Sequence, residues 1–145
     1  IGDMLAFRPN TVGVDINEYT VHYCVERGLD ARTMIPDLLP FADGEFDTVL
    51  LDNVLEHIVD PTPLLNEIRR TLKVGGAVLV GVPGVRGWRS DPDHKVEYDE
   101  HQLVRRIELA KFEHIETFFT PLWRSSWLSK KARQYCIYGL FKKQG

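Results

Sequence analysis

An α/β fold built on a mostly parallel sheet is predicted by three observations. Strand and helix patterns alternate over most of the chain. Two apolar runs, Val49-Leu50-Leu51 and Ala77 to Val82, suit strands buried on both faces, as in parallel sheets. A short buried strand, Val12-Gly13-Val14, ends in an acid, Asp15, on the edge where such sheets hold their ligands.

Each element has its own signals. Ile1-Gly2-Asp3-Met4-Leu5 reads as the tail of a glycine-rich loop running into a helix. Residues 11–15 form the strand that ends in Asp15. Asn17 caps a helix reaching about Arg27, with Val21, Cys24 and Val25 on one face and Gly28 as its stop. Ala31 to Ile35 is a short strand, and Asp43-Gly44 closes the loop after it. Phe46 to Val54 is a strand. Thr62 caps the next helix, with Pro63 in its first turn and Leu64, Leu65, Ile68 and Leu72 as its apolar stripe. Gly75-Gly76 is read as its end.

Ala77 to Val82 follows as a strand, stopped by Pro83-Gly84. A long polar loop runs from there to Asp99. Asp99 and Gln102 have the spacing of a capping pair for a helix with Leu103, Ile107 and Ala110 inward. Two strands close the chain, at 113–120 and 134–142, with Trp123 and Trp127 between them.

The 145 residues are 43% hydrophobic and 27% charged, enough to bury a sizeable core in a single domain, 1–145. Cys24 and Cys136 lie far apart and read as small buried hydrophobes of a reducing, cytoplasmic compartment rather than a disulfide. The histidines are scattered, and no metal-ligand spacing appears. No apolar run approaches the ~20 residues that a membrane span needs. From Pro121 onward there are six Lys or Arg and no acid, whereas the rest of the chain holds 12 basic and 21 acidic residues. This basic stretch reads either as a solvated face whose two tryptophans close the core, or as a surface for an anionic or membrane-associated partner. Nucleic acid is not an expected partner.

Several segments align in a recognisable order. Leu39-Pro40-Phe41 leads through Asp43-Gly44-Glu45-Phe46-Asp47 to Val54-Leu55-Glu56-His57. Asp60-Pro61 and Arg70-Thr71-Leu72-Lys73-Val74-Gly75-Gly76 come next. This set resembles the class I S-adenosylmethionine-dependent methyltransferases, in particular their broad small-molecule group. The resemblance covers nearly the whole chain, with Val74 where the family usually has proline. It implies a Rossmann-like methyltransferase sheet, mostly parallel, with an antiparallel C-terminal strand. It also implies S-adenosylmethionine as cofactor and a small-molecule or saccharide acceptor.

The resemblance assigns roles to particular residues. Gly2 matches the last glycine of the cofactor loop, where a missing Cβ lets backbone approach the ligand. Asp15 would accept from the ribose hydroxyls, with Ile16 flanking adenine. Asp37 and Leu38 would lie at the adenine edge. Asn53 would sit near the transferred methyl. His57 and His94 are the candidate bases for a hydroxyl or carboxyl acceptor, since histidine exchanges protons near neutral pH. The competing readings are structural: Asp15 as a turn former with Asn17, and Glu56-His57 as a brace for the following turn.

The family's first strand and the leading glycines of its loop have no counterpart here. That strand lies centrally in the family sheet, between the second and the fourth. Three arrangements would follow from its lack: a fragment, a shortened product filled by a partner's strand, or a sheet in which the second and fourth strands pair directly. The expected function is methyl transfer, impaired in this chain, with weak or no cofactor binding. The alternative is a catalytically inactive binding or regulatory relative.

Overall fold

The computed structural model describes residues 2–145, and Ile1, read above as part of the glycine loop, lies outside them. Two compact units are present, Ile1–Ala42 and Asp43–Gly145.

The first unit contains α1 (Asp3–Phe7), β1 (Gly13–Asp15), α2 (Glu18–Val25) and β2 (Ala31–Thr33). The two strands pair in parallel, with Gly13 opposite Ala31 and Asp15 opposite Thr33. Asn17 caps α2 as its position predicts, its side chain accepting from the Tyr19 N–H at 2.9 Å. The helix stops at Val25, short of Arg27, so of the predicted apolar face only Cys24 is fully buried and Val25 is exposed. β2 ends at Thr33 because Ile35 and Leu38 already bridge across a turn.

The second unit holds β3 (Phe46–Asp52), α3 (Thr62–Thr71), β4 (Leu72–Pro83), α4 (Val85–Trp88), α5 (Glu100–Leu109), β5 (Phe112–Thr120), α6 (Ser126–Lys131) and β6 (Cys136–Lys143). Its sheet has the order β3-β4-β6-β5. β3 and β4 are parallel, and β6 runs antiparallel to both β4 and β5. Only the C-terminal strand therefore opposes the common direction, as predicted. Leu65, Ile68, Val78, Val80, Leu103 and Phe141 form the centre of the core, each at most 1% exposed.

Several elements depart from expectation for identifiable reasons. α3 ends at Thr71, not at Gly75-Gly76, and Leu72 already belongs to the sheet. The register steps from Phe46 opposite Leu72 to Thr48 opposite Ala77, so the residues between Leu72 and Ala77 bulge out of the ladder. The glycines serve that bulge. Thr62 is the first residue of α3 and not its cap; the Asp60 carboxylate takes both its N–H (3.1 Å) and its hydroxyl (2.6 Å). The polar loop after β4 contains the short helix α4.

β3 is less buried than its apolar run predicts, and Leu50 is 37% exposed. It has a strand neighbour on one side only, because among the described residues no strand pairs with its other side. β1 pairs with β2 and β3 with β4, so direct pairing of the family's second and fourth strands does not occur among the described residues. Trp123 and Trp127 do not close the core. They are 67% and 66% exposed, carried by a short segment around α6 that the sheet does not cover. Among the described residues no helix is long and apolar enough to cross a membrane.

Candidate active site

In the second unit the polar side chains gather at the carboxyl ends of β3 and β4, the side on which open α/β sheets bind ligands. β3 ends at Asp52, and the chain turns sharply at Asn53, whose φ is +52°. A left-handed backbone is uncommon for a residue other than glycine, and asparagine tolerates it better than most. The Asn53 N–H donates to the Gly81 carbonyl at 3.0 Å, which fixes the turn to β4. Its side-chain amide donates to Asp52 Oδ1 at 3.1 Å. The Tyr138 hydroxyl, from β6, donates to the same oxygen at 3.0 Å. Burial first, then the neighbouring Asp52 charge, holds the Tyr138 phenol well above its ordinary range.

A single 3₁₀ turn, Leu55–His57, follows. It buries Glu56 completely, and both carboxylate oxygens lack a hydrogen-bond partner. Burial pushes the Glu56 carboxyl above the ordinary glutamate range; its own backbone N–H, then His57 and His94, pull it down, and Asp52 pushes it up. The loop after α4 closes over this turn. The N–H groups of Lys95 and Val96 donate to the Glu56 carbonyl, at 2.7 and 3.0 Å.

That tether brings His94 to the cluster. Its Nδ1 lies 2.6 Å from the Trp88 carbonyl and its Nε2 lies 3.8 Å from Glu56 Oε1. A carbonyl only accepts, so Nδ1 carries the hydrogen and Nε2 is the nitrogen turned toward the carboxylate. The His57 and His94 rings meet edge to face with centroids 4.7 Å apart. His57 Nδ1 makes a long contact of 3.4 Å with the Asp93 carbonyl.

The remaining predicted residues lie in the first unit. Gly2 caps α1 with φ +78°, a conformation that favours glycine. A Cβ there would stand 3.0 Å from Leu29 Cδ1 and 3.1 Å from Cys24 Sγ, so the close approach seen is to these side chains. Asp15 ends β1 half-buried, and its Oδ1 accepts from the Asn17 N–H at 2.8 Å. Both the turn-forming reading and an acceptor role at the second oxygen are compatible with this geometry. Ile16 and Leu38 are exposed, and Asp37 occupies a left-handed turn position with φ +61°.

Sequence reasoning named Asn53, His57 and His94 separately, and the structure gathers them at one end of one sheet. It missed Glu56 as a member, along with Asp52 and Tyr138. An acid directly before a histidine was the available sequence signal for Glu56. Nothing in the sequence pointed to Tyr138, which arrives through the register of β6. A separate open cavity of about 560 Å³ includes Asn66, Arg69, Leu72 and Val74 in its lining. It opens at the first residues of β4, away from the carboxyl ends.

Residues 3–80 match the family model of the methyltransferase domain. The match spans more than half of the chain and runs through Asp15, Asn53, Glu56 and His57. The chain belongs to the class I S-adenosylmethionine-dependent methyltransferases. A protein of Mycolicibacterium smegmatis named a probable S-adenosylmethionine-dependent methyltransferase is 31% identical over 114 residues, which is 73% of this chain and 44% of that protein. The chain spans less than half the length of the curated relatives it matches first.

Among solved structures, an Archaeoglobus fulgidus S-adenosylmethionine-dependent methyltransferase has a TM-score of 0.70 at 18% identity, covering 91% of this chain and 75% of that one. The Burkholderia thailandensis 1,6-didemethyltoxoflavin-N1-methyltransferase, solved with bound 1,6-didemethyltoxoflavin and S-adenosylhomocysteine, has a TM-score of 0.66 at 19% identity, covering 92% of this chain and 61% of that one. These likenesses show the methyltransferase fold. The family's cofactor is S-adenosylmethionine.

Proposed function

We propose that this methyltransferase-family chain carries the acceptor-side chemistry of S-adenosylmethionine-dependent methyl transfer to a small-molecule or glycan-type acceptor, and that these 145 residues bind the cofactor weakly. The observation that carries the reading is the His57–His94 pair beside Asn53, at the sheet end where the family's fold holds ligands.

The residues present fit the nucleoside half of the cofactor. Asp15 has one carboxylate oxygen committed to Asn17, leaving the other to accept from ribose hydroxyls. Ile16 and Leu38 offer exposed apolar surface for adenine, with Asp37 to accept from its amine. Gly2, at the start of α1, is the remaining member of this set in the first unit. When bound, the sulfonium cofactor supplies an already activated methyl group. The protein then needs mainly to align the acceptor and exclude water. His57 and His94 take the acceptor's proton, and the Trp88 carbonyl orients the His94 ring for that task.

The proposed weakness is tied to β3, which has a strand neighbour on one side only among the described residues. In the family the first strand fills that place and leads into the cofactor loop, and none does so among the described residues. Equilibrium dialysis with labelled S-adenosylmethionine tests both parts. Weak binding that Asp15→Ala lowers further is expected. Tight saturable binding overturns the impairment, and weak binding indifferent to Asp15→Ala overturns the cofactor placement. No transfer to any acceptor even when cofactor is bound would favour the second reading, an inactive binding or regulatory relative.

The exposed tryptophans support an anionic partner. Leu122, Trp123 and Trp127 are exposed next to Lys130, Lys131 and Arg133. Such a patch suits a surface that is charged and partly apolar, such as a membrane-associated glycan acceptor. Salt-sensitive sedimentation with anionic vesicles, lost in Trp123→Ala/Trp127→Ala, is the expected result. Equal binding to neutral vesicles removes the electrostatic part.

A further inference from the structure

We propose that Glu56, His57 and His94 form a binding site for a divalent first-row transition-metal ion. One ligating atom from each residue lies within 4.8 Å of the others. Two imidazoles and one carboxylate are a donor set that such ions favour, and three protein ligands leave coordination positions open.

Glu56 makes the cluster more than a coincidence of polar groups. It is fully buried, and neither of its carboxylate oxygens has a hydrogen-bond partner. A buried carboxylate without donors is a rare arrangement that calls for a positive charge nearby. A histidine nitrogen of fixed role faces it. Because the Trp88 carbonyl takes the hydrogen on Nδ1, His94 Nε2 in the neutral ring presents a lone pair to Glu56 Oε1 at 3.8 Å. Two acceptors then face each other whenever Glu56 is ionised.

A metal ion resolves this. Ligands about 2.0–2.2 Å from a tetrahedral ion stand about 3.3–3.6 Å from one another; His94 Nε2 and Glu56 Oε1 are 3.8 Å apart, and the set of three is spread over at most 4.8 Å. A proton on Nε2 would instead draw the pair to about 2.7–2.9 Å, the length of a charge-assisted hydrogen bond. The orientation also matches metal-site practice, in which a ligating histidine donates its other N–H to a backbone carbonyl. His94 does so to Trp88, and His57 Nδ1 is turned toward the carbonyl of Asp93. With the ion bound, His57 and His94 are its ligands and no longer bases; an acceptor oxygen in an open position would instead have its proton loosened by the ion. Ion binding itself does not depend on the methyl-transfer reading, and the test needs neither cofactor nor acceptor.

The chain, freed of metal with a chelator, is titrated with Co²⁺ and followed by visible absorption. A band saturating at one equivalent, abolished by Zn²⁺, is expected. Glu56→Gln and His94→Ala should each weaken binding by at least about tenfold. His101→Ala, on the exposed side of α5, should not change it. Far-ultraviolet circular dichroism checks that each variant folds, and His57→Ala replaces any variant that does not. The absence of a saturable band, or unchanged affinity in Glu56→Gln and His57→Ala, overturns the proposal.

Discussion

The Tyr138 hydroxyl donates to Asp52 Oδ1 at 3.0 Å, and this bond reaches from β6 to β3 across the intervening strand β4. It passes over Gly81, the β4 residue opposite Tyr138 in the ladder. A Cβ on Gly81 would stand 2.4 Å from the Tyr138 ring and 2.5 Å from Asp52 Oδ1. Gly81→Ala should therefore destabilise the protein by about 1–3 kcal/mol through overpacking. Thermal or denaturant unfolding measures this. Tyr138→Phe keeps the ring and should cost less, so equal losses would show that the bond and not the space matters.

Asp60 stabilises the start of α3 through two hydrogen bonds from Thr62, and these hold its carboxyl below the usual aspartate range. A depressed pKa in the folded state means stability that is present above the unfolded value and lost as pH falls through the folded one. Asp60→Ala should unfold more easily than the wild type at pH 7. The difference should shrink as pH falls below the ordinary aspartate range. A constant difference from pH 7 to pH 2 would refute this account.

Asp99 and Gln102 form a complete capping box, with the Gln102 N–H donating to Asp99 at 2.8 Å and the Asp99 N–H to Gln102 at 3.0 Å. Asp99→Ala should cost about 0.5–2 kcal/mol. Leu103, fully buried one turn later, should cost about 2–5 kcal/mol as Leu103→Ala. The ordering of the two in urea midpoints is the check.

Burial raises the Cys136 thiol above its ordinary range, and Asp52 and Glu56 add to the effect. The reactive thiolate is correspondingly scarce. Alkylation of Cys136 by iodoacetamide at pH 8 should be slower in the folded chain than in urea, as followed by mass spectrometry. Equal rates would place the sulfur in open water.

What the sequence revealed was local. The capping box at Asp99 and Gln102, the Asn17 cap and the stripe of Leu64, Leu65 and Ile68 each follow from neighbours a turn apart, and all are found in place. Errors arose where the sheet overrode a local signal. Gly75-Gly76 looks like a helix stop, yet pairing with β3 draws Leu72 into a strand and turns the glycines into a bulge. Leu50 looks like core, but its strand lacks a second neighbour among the described residues. The site shows the same division. His57 and His94 were visible as reactive side chains. Their meeting over Glu56 depends on the loop after α4 folding back through Lys95 and Val96, a contact between distant segments that no spacing rule encodes.

The single-sided pairing of β3 has a consequence for handling the protein. From Thr48 to Asp52 the ladder to β4 uses one side of a backbone that alternates its donors and acceptors left and right. Among the described residues no strand takes the amides turned the other way, and such an edge is a template for an extended segment, including the same strand of a second molecule. Preparations of this chain should therefore thicken into oligomers as they are concentrated. A lysine placed at Leu50 should keep them apart.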